Sequence, residues 1–472
     1  MQSLYYDGSW HHAASGMDIV NPFTGAVIGT VGAATDADAA KALASAAAGR
    51  AAMKALTSGE RSAILHRTAD AVAADATAFA AMIVAETGKP LKAAEKEVRR
   101  CVNTLRLSAE EAVRLTGETI RFDSFAGGEA RQGFYAYEPL GLIVAITPFN
   151  DPLNLVAHKL GPAIAAGNSV LLKPAEQAPI VALMLVKKLL AAGLPPLGLA
   201  ALTGRGSDFG DLIVASAEPA MISFTGGVAV ANRIAAKAGI KKLAMELGAN
   251  SPVIVMADAD IETAAASCVS GAFWAAGQNC IGVQRILVEE GAYVAFRDAV
   301  VRHTKALVVG DPMLPGTDIG PMIGEAEAAR VEAWVRDAVS QGGRVLAGGK
   351  REGSVMWPTV LENVPKAASV ICSEVFGPVV TLVPFGEFDE AMKAANAPDH
   401  TIHAAIFTRD VNRALGAARA FEAAGVMINE STDYRLDAMP FGGAKKGSMG
   451  REGVKFAVRE MSQTKVVCFT LA

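Results

Sequence analysis

The sequence predicts an α/β protein built on two parallel sheets. From Gly141 onward, short apolar and β-branched runs alternate with turns and helical stretches, which is typical of βαβ units. The predicted strands form two series, 142–146, 169–172, 200–203 and 221–224 in the first, and 252–256, 284–288, 379–385 and 403–407 in the second. Each series is sufficient for a sheet of its own, so we expect two α/β domains.

The segments outside these two series are helical or strand-like. Residues 33–115 are rich in alanine, with charges at helical spacing and a break at 87–90, and are predicted to form several amphipathic helices. Residues 119–137 and 465–471 alternate as strands do but belong to neither series. Because exposed strand edges pair readily with another chain, these two segments are predicted to form an oligomerisation arm.

The composition favours a folded protein that binds small molecules. Of the 472 residues, 51% are hydrophobic and 19% are charged, which is enough apolar surface to offset the ordering entropy of the chain. Lysine and arginine number 44 against 48 aspartates and glutamates, a formal net charge of −4. This charge gives no broad positive field for nucleic acid or an anionic membrane. We therefore expect small-molecule ligands or copies of the chain itself as partners.

The cysteines and the apolar runs bear on the compartment. Cys101, Cys268, Cys280, Cys372 and Cys468 are odd in number, far apart and never in a C-x-x-C pair. This pattern predicts neither a disulfide framework nor a zinc knuckle, and a reducing, cytoplasmic location is expected. The longest apolar runs are far shorter than a membrane span, and no export segment is expected.

Two glycine-rich turns follow predicted strands and open predicted helices. The first, residues 204–210, is close to a dinucleotide fingerprint but one residue too long, and by itself it favours a plain βα turn. The second, residues 224–227, precedes a helix whose free backbone N–H groups suit a pyrophosphate. Two such turns in one sheet favour a nucleotide. Residues 442–448 lack the order of an ATP phosphate loop, which disfavours a kinase or an ATPase.

Seven short motifs follow one another along the chain. They are Thr147-Pro148-Phe149-Asn150, Lys173-Pro174-Ala175-Glu176, Phe224-Thr225-Gly226-Gly227, Glu246-Leu247-Gly248-Ala249-Asn250, Gly277-Gln278-Asn279-Cys280, Glu374-Val375-Phe376-Gly377-Pro378 and Pro440-Phe441-Gly442-Gly443. In this order and spacing the chain resembles the aldehyde dehydrogenase superfamily, in its non-acylating branch. The likeness extends from residues 21–25 to residues 450–453.

The resemblance implies the catalytic residues Cys280, Asn150, Glu246 and Lys159. A cysteine thiolate adds to an aldehyde carbon and holds the resulting thiohemiacetal, which suits Cys280 as nucleophile. The Asn150 amide and the Cys280 backbone N–H would stabilise the oxyanion, and Glu246 would activate the hydrolytic water. Considered singly, each residue also has a plain alternative: a buried structural thiol, an asparagine turn and a salt-bridged glutamate.

The resemblance also implies an NAD site. Its residues would be Thr147, Pro148, Lys173, Glu176, Gly206, Gly210, Phe224, Gly226, Gly227, Leu247, Glu374 and Phe376. Lys173 and Glu176 match the pair that holds the adenosine ribose, where a carboxylate repels a 2′-phosphate. NAD is therefore expected, with NADP possible. Glu374 and Phe376 match positions for the nicotinamide half, and Ala249 stands where a second glycine is usual.

The residues implied to line the aldehyde tunnel are unusually polar. Asp151, His158 and Arg435 stand at tunnel positions, whereas Trp274 and Phe441 keep an aromatic wall. This set predicts a short polar or anionic aldehyde, such as a semialdehyde, a hydroxyaldehyde, or a phosphono or sulfo aldehyde. The Asp151 carboxylate would repel an anion unless His158 or Arg435 neutralises it or it faces a substrate hydroxyl. No metal site is expected, because no cysteine or carboxylate accompanies His400 and His403 at ligand spacing.

The predicted function is NAD-dependent oxidation of an aldehyde to its carboxylate. The alternatives are a coenzyme A-acylating semialdehyde dehydrogenase and a catalytically silent scaffold of the same fold. The expected organisation is a Rossmann-like NAD-binding domain (1–117 and 139–245), a catalytic domain (246–440), and an arm with the C-terminal segment (118–138 and 441–472). A homodimer or homotetramer is expected.

Overall fold

The computed structural model describes residues 4–471. Its helices are α1 (Asp36–Ala48), α2 (Arg50–Ala55), α3 (Ser58–Ala74), α4 (Ala76–Thr87), α5 (Leu91–Arg114), α6 (Asn154–Ala166), α7 (Pro179–Ala191), α8 (Gly206–Ala215), α9 (Val228–Lys237), α10 (Ile261–Phe273), α11 (Glu290–Lys305), α12 (Glu325–Ser340), α13 (Ser369–Cys372), α14 (Phe388–Asn396), α15 (Val411–Ala420) and α16 (Val454–Glu460). The predicted helical character of residues 33–115 is confirmed by α1 to α5.

The strands alternate with these helices over most of the chain. They are β1 (Leu4–Tyr6), β2 (Ser9–His11), β3 (Ser15–Val20), β4 (Val27–Ala33), β5 (Glu118–Ile120), β6 (Arg131–Pro139), β7 (Leu142–Ile146), β8 (Ser169–Lys173), β9 (Leu199–Ala201), β10 (Met221–Thr225), β11 (Lys242–Glu246), β12 (Ser251–Val255), β13 (Val283–Glu289), β14 (Arg344–Ala347), β15 (Arg351–Glu352), β16 (Val355–Met356), β17 (Thr359–Glu362), β18 (Val379–Phe385), β19 (His400–Thr401), β20 (His403–Phe407), β21 (Gly425–Ile428), β22 (Ala444–Lys445), β23 (Ser448–Met449) and β24 (Ser462–Thr470).

The first large sheet has the strand order β2-β1-β9-β8-β7-β10-β11-β23. Its five central strands are parallel, and β7 and β8 are almost wholly buried, as expected for strands covered by helices on both faces. The chain runs outward from β7 to β9 and then returns to the other side of β7 with β10. Ligands of open α/β sheets bind at such a reversal, beyond the carboxyl ends of the strands.

The second large sheet has the order β14-β17-β18-β13-β12-β20-β21, with β17 to β21 parallel and β14 antiparallel at the edge. It contains the four strands predicted for the second series, so the prediction of two parallel sheets is confirmed. The two sheets have separate apolar cores, which places the loops between them where a cleft can form.

The two strand-like segments outside these sheets pair with each other. Strand β24 lies antiparallel to β6 along its whole length, from Ser462 opposite Pro139 to Thr470 opposite Arg131, and β5 covers the other edge of β6. The outer strand β24 exposes Val466 and Phe469. Pairing of this arm with a second chain stays a prediction.

Helix α5 connects the first core to the site. It is 24 residues long, and its buried face includes polar side chains such as Glu97 and Thr104 beside the apolar ones. It packs against α3 and α6, and α16 packs on α5 and α6 as well. Within residues 4–471 no single helix is long and apolar enough to cross a membrane, and α3 with α4 meets that test only as a pair bent by 75°.

Candidate active site

A single cavity of about 1380 Å³ lies beyond the carboxyl ends of the first sheet. One part faces the amino-terminal ends of α8 and α9, and the other part is lined by Trp274, Cys280 and Arg435. The wall contains all the predicted site residues except His158 and Lys159. The cavity therefore brings together the glycine turns and the implied catalytic residues, which are distant in the sequence.

The part near α8 and α9 has the properties of a nucleotide site. The hydroxyl oxygens of Thr147 and Thr225 are buried on its wall and have no hydrogen-bond partner in the described residues. A Cβ added at Gly210 or Gly227 would meet no atom within 4 Å, so the backbone there is open to a ligand. No side chain caps the first turn of α9, whose N–H groups carry a partial positive charge. These residues fit a dinucleotide phosphate group.

Lys173 and Glu176 lie together at the start of α8. The backbone N–H of Gly206 donates to Glu176 Oε1 over 2.7 Å, and Lys173 Nζ lies 3.8 Å from the same oxygen. Burial lowers the pKa of Lys173, and the nearby Glu176 opposes that change. Glu176 is partly exposed to the cavity, as a residue that contacts a ribose requires.

Glu374 lies against the backbone of the Glu246 motif. Ala249 N donates to Glu374 Oε1 over 3.1 Å, and a Cβ on Gly248 would lie 1.9 Å from Glu374 Oε2. A side chain at 248 would therefore displace the Glu374 carboxylate, whereas alanine at 249 is accommodated. Burial raises the pKa of Glu374 to about 7. Phe376 follows with a positive φ of 45° and packs edge-on against Phe149, 5.9 Å between ring centres.

Cys280 lies just after a left-handed turn. Ala275, Ala276 and Gly277 have φ values of 49°, 55° and 70°, a conformation that costs energy for alanine. A Cβ on Gly277 would lie 2.1 Å from the carbonyl oxygen of Gly377, so only glycine permits this close approach. Burial raises the pKa of Cys280 to about 12, and the Arg435 guanidinium opposes this change.

Glu246 is the last residue of β11, and its side chain lines the same cavity as Cys280. Its side chain is buried, and Oε2 accepts no hydrogen bond from any residue in the described chain. Burial and the neighbouring Glu452 raise its pKa well above the usual value, while Lys159 and Arg435 lower it. An unbonded carboxylate oxygen with a raised pKa is suited to proton abstraction near neutral pH. Asn150 lines the same part of the cavity.

Lys159 lies behind this wall rather than on it. Its Nζ donates to Ser223 Oγ over 3.0 Å and to Glu452 Oε1 over 3.1 Å. Glu452 also accepts from Arg435 Nη2 over 3.2 Å. Burial opposes ionisation of Glu452, but Lys159 and Arg435 together hold its pKa at about 2. Lys159 thus influences Glu246 through charge and does not itself reach the cavity.

Arg435 is fixed against the aromatic wall. Its guanidinium lies over the Phe441 ring, 3.6 Å from the ring centre, and the side chain is largely buried. Cation–π contact and the Glu452 ion pair hold it in one orientation. Its Nε is buried without an acceptor in the residues that the structure describes. Arg435 therefore keeps N–H groups free for a ligand.

Asp151 has different partners from those expected. Its carboxylate was expected to be neutralised by His158 or Arg435, or to face a substrate hydroxyl. In the structure Lys89 Nζ donates to Asp151 Oδ1, and Arg100 Nη1 donates to Oδ2 over 3.0 Å. Burial opposes ionisation of Asp151, but these two cations keep its pKa below the usual value. The expected repulsion of an anionic substrate by Asp151 is thereby largely cancelled.

His158 does not lie on the cavity wall. Its Nε2 is 3.0 Å from Asp437 Oδ1, and its Nδ1 is buried without a partner among residues 4–471. Burial, assisted by Arg435, lowers the pKa of His158. The prediction placed His158 two turns after Asp151 on the same helix face, but every residue of α6 is buried, so helical spacing did not indicate which face meets the cavity.

The structure adds charged residues that the sequence did not indicate. Arg100 joins Asp151 to Asp437, donating to Asp437 Oδ1 from Nη2 over 2.9 Å. Lys96 and Asp433 also line the cavity. Lys96 and Arg100 are four residues apart in α5, and this spacing was the available signal that both share one helix face. Nothing in the sequence indicated that this face meets the loop after β21.

The two histidines weighed as metal ligands have ordinary partners. His403 Nδ1 donates to the Thr432 carbonyl over 2.7 Å, and burial lowers the pKa of His403 to about 4. His400 Nδ1 lies 2.8 Å from Asp399.

Comparison with known proteins defines the class. Residues 10–467 match the sequence model of the Aldehyde dehydrogenase family. The chain is 54% identical over 455 residues to aspartate-semialdehyde dehydrogenase 1 of Pseudomonas canavaninivorans, covering 96% of this chain and 97% of that protein. It is 43% identical over 469 residues to 3-sulfolactaldehyde dehydrogenase of Priestia aryabhattai, covering 99% and 98%.

A solved structure agrees. The glyceraldehyde-3-phosphate dehydrogenase of Methanocaldococcus jannaschii, complexed with NADP, is 39% identical and superposes with a TM-score of 0.93 over 96% of this chain and 99% of that one. The chain belongs to the aldehyde dehydrogenase family. It is an NAD(P)-dependent oxidoreductase that acts on an aldehyde group.

Proposed function

We propose that this enzyme oxidises a short aldehyde bearing an anionic group to the carboxylate, with NAD preferred over NADP. One observation carries the proposal: a single cavity joins the open glycine turns to Cys280 and Glu246, and Arg100 and Arg435 lie on its wall. The named relatives support it, because aspartate semialdehyde, 3-sulfolactaldehyde and glyceraldehyde 3-phosphate are all short aldehydes that carry an anionic group.

In the proposed reaction Cys280 supplies the covalent bond to substrate. Its Sγ loses its proton to Glu246, which passes that proton on to solvent, and then attacks the aldehyde carbon, while the Asn150 amide and the Cys280 backbone N–H donate to the oxyanion. NAD(P), when bound, would supply the hydride acceptor that this oxidation needs. Glu246 then removes a proton from the water that hydrolyses the thioester, which releases the carboxylate and frees Sγ.

The residues around the nucleophile assist by charge. Burial raises the pKa values of Cys280 and Glu246, and the Arg435 guanidinium lowers both of them. Both groups therefore lose a proton more easily than they would without Arg435. Lys159 acts as a positioning residue that holds Glu452 and lowers the pKa of Glu246. We propose that the cofactor is held by Lys173 and Glu176 at its ribose and by the amino-terminal turns of α8 and α9 at its phosphates.

We propose that arginine side chains bind the anionic group at the end of the substrate far from the aldehyde. Arg435 Nε has no acceptor among the described residues, and Arg100 lines the same cavity. A guanidinium fork suits a carboxylate, sulfonate or phosphate. The buried Glu246 favours hydrolysis over acyl transfer to coenzyme A. The five free cysteines support a reducing, cytoplasmic location. The exposed arm supports a homodimer or a homotetramer.

The test is a panel of short aldehydes assayed by NADH absorbance, with and without coenzyme A. Succinate semialdehyde should have kcat/KM about 10- to 100-fold above that of butanal, an uncharged aldehyde of equal chain length, because a charged hydrogen bond adds about 1.5 to 3 kcal/mol. Cys280→Ser should abolish turnover but retain NAD binding in titration calorimetry. Equal rates for both aldehydes, or dependence on coenzyme A, would contradict the proposal.

A further inference from the structure

Asp433 is a carboxylate on the substrate wall that lacks a cationic partner. Three other acidic side chains around the aldehyde end are paired: Asp151 with Lys89 and Arg100, Asp437 with Arg100 and His158, and Glu452 with Lys159 and Arg435. Asp433 accepts a hydrogen bond from Ser431 Oγ, and no basic group of residues 4–471 lies within ion-pair distance of it.

The fold holds this carboxylate in place. A Cβ added at Gly271 of α10 would lie 2.8 Å from Asp433 Oδ1 and 2.6 Å from Ser431 Oγ, so the side chain packs directly on this glycine. Gly271 is one turn before Trp274, which also lines the cavity. Burial raises the pKa of Asp433, and Ser431 and the more distant Lys96 only partly offset this. A carboxylate in this situation gains from a cation supplied by a ligand.

Asp433 and Arg435 bring opposite charges to one cavity. They are two residues apart in an irregular stretch of the loop after β21, and both line the cavity. An amino-acid head group, whose ammonium and carboxylate share one carbon, offers a charged hydrogen bond to each of these two side chains.

We propose that Asp433 binds an ammonium group of the substrate, so that the preferred substrates are short aldehydes carrying a 2-ammonio carboxylate, with the carboxylate on Arg435. This inference rests on the function proposed above, because it takes Cys280 as the site of attack. It makes Asp433 a specificity-determining residue, and it distinguishes amino-acid semialdehydes from sulfo, phospho and simple carboxylate aldehydes of the same length.

Two aldehydes that differ only in the amino group test the proposal. Aspartate semialdehyde and succinate semialdehyde have the same chain and the same carboxylate. The wild-type enzyme should prefer the first in kcat/KM. Asp433→Asn should lower kcat/KM for aspartate semialdehyde by about 10- to 100-fold, mainly through KM, and leave the value for succinate semialdehyde within about twofold. Glu95→Gln is the matched control, since Glu95 is exposed on α5 outside the cavity and also removes one negative charge.

A second pair of variants separates substrate binding from a structural role. If Asp433 only anchors Lys96 at the mouth, Lys96→Met and Asp433→Asn should cause equal losses with both aldehydes, which would overturn the proposal. If Asp433 binds ammonium, Lys96→Met should preserve or increase the preference for aspartate semialdehyde, because a competing cation is removed.

A measurement on the wild-type enzyme covers the case in which Asp433→Asn does not fold. Aspartate should compete with aldehyde more strongly than succinate does as a product inhibitor, and equal or weaker inhibition by aspartate would overturn the inference. Equal wild-type kcat/KM for the two semialdehydes, with both above butanal, would overturn the ammonium site and leave the proposed function standing. No preference for either over butanal would contradict the proposed function itself.

Discussion

The two halves of the cavity are built from different parts of the chain. The cofactor half is made of backbone at strand ends and glycine turns, with open space at Gly210 and Gly227. The substrate half is made of side chains from α5, the α10–β13 connection and the loop after β21, and charged groups of α5 and this loop form ion pairs such as that of Arg100 with Asp437. The first half depends on local sequence, and the second depends on contacts between distant segments.

This difference shows how one family can share a cofactor site and differ in substrate. Backbone N–H groups at helix ends bind a phosphate with little regard to side-chain identity. Buried ion pairs contribute little net stability, because desolvation offsets their attraction, but they hold side chains in defined positions. In the substrate half the pairs fix Asp151 and Asp437, and they leave Asp433 and part of Arg435 available.

Glu246 lies where the halves meet, and its removal should have the largest effect. Glu246→Gln should lower steady-state turnover by about 10²- to 10⁴-fold, the usual contribution of a general base. Rapid mixing should reveal a burst of about one NADH per site if hydrolysis is the step that stalls. Cys280→Ser, which cannot acylate, should give no burst. Unchanged steady turnover would assign the base to another residue.

Substitution of Arg435 tests two proposed roles of its charge, which are binding the anionic group of the substrate and lowering the pKa of Cys280 and Glu246. Arg435→Met should lower kcat/KM for succinate semialdehyde by about 10- to 100-fold beyond its effect on butanal. In the proposed reaction Cys280 and Glu246 act deprotonated, and burial raises the pKa of both, so kcat/KM should rise with pH. Loss of Arg435 should raise both pKa values further and move that rise to higher pH.

The pH profile with butanal isolates the second effect, since no anion is bound there. Arg435→Lys should keep the pH profile near that of the wild type and still lose part of the preference for anions, because it keeps the charge but not the fork. An unshifted profile in Arg435→Met would limit Arg435 to substrate binding or to support of the loop.

Glu176 tests the cofactor half, where the expected change is smallest. Glu176→Ser should raise the ratio of kcat/KM with NADP to that with NAD by about 3- to 10-fold, since repulsion between partly exposed charges amounts to about 1 kcal/mol. Asp208→Asn removes a nearby carboxylate that is outside the cavity and should leave the ratio unchanged. A constant ratio in both variants would place cofactor selection elsewhere.

What the sequence could predict follows the same division. The strands and the glycine turns could be predicted because each depends on residues adjacent in the chain, whereas the role of Cys280 comes from the motif of residues 277–280 and stays a prediction. Asp151 was expected on the tunnel wall, and it lines the cavity, but its partners Lys89 and Arg100 lie 62 and 51 residues earlier. His158 was expected on the same wall and lies outside the lining, because α6 is buried on all sides and its periodicity could not indicate a contact face.

Two contacts from the last part of the chain support the site: Glu452 pairs with Lys159, and Ser448 of β23 lies opposite Glu246 of β11. These contacts have a consequence for biosynthesis. Strand β23 completes the edge of the first sheet, and α16 then packs on α5 and α6. These contacts come from a stretch translated after all the other strands of both large sheets. A nascent chain that stops before residue 448 carries Cys280, Asn150 and Glu246 but not their final support. The catalytic arrangement proposed above is therefore complete only when the last part of the chain has been made.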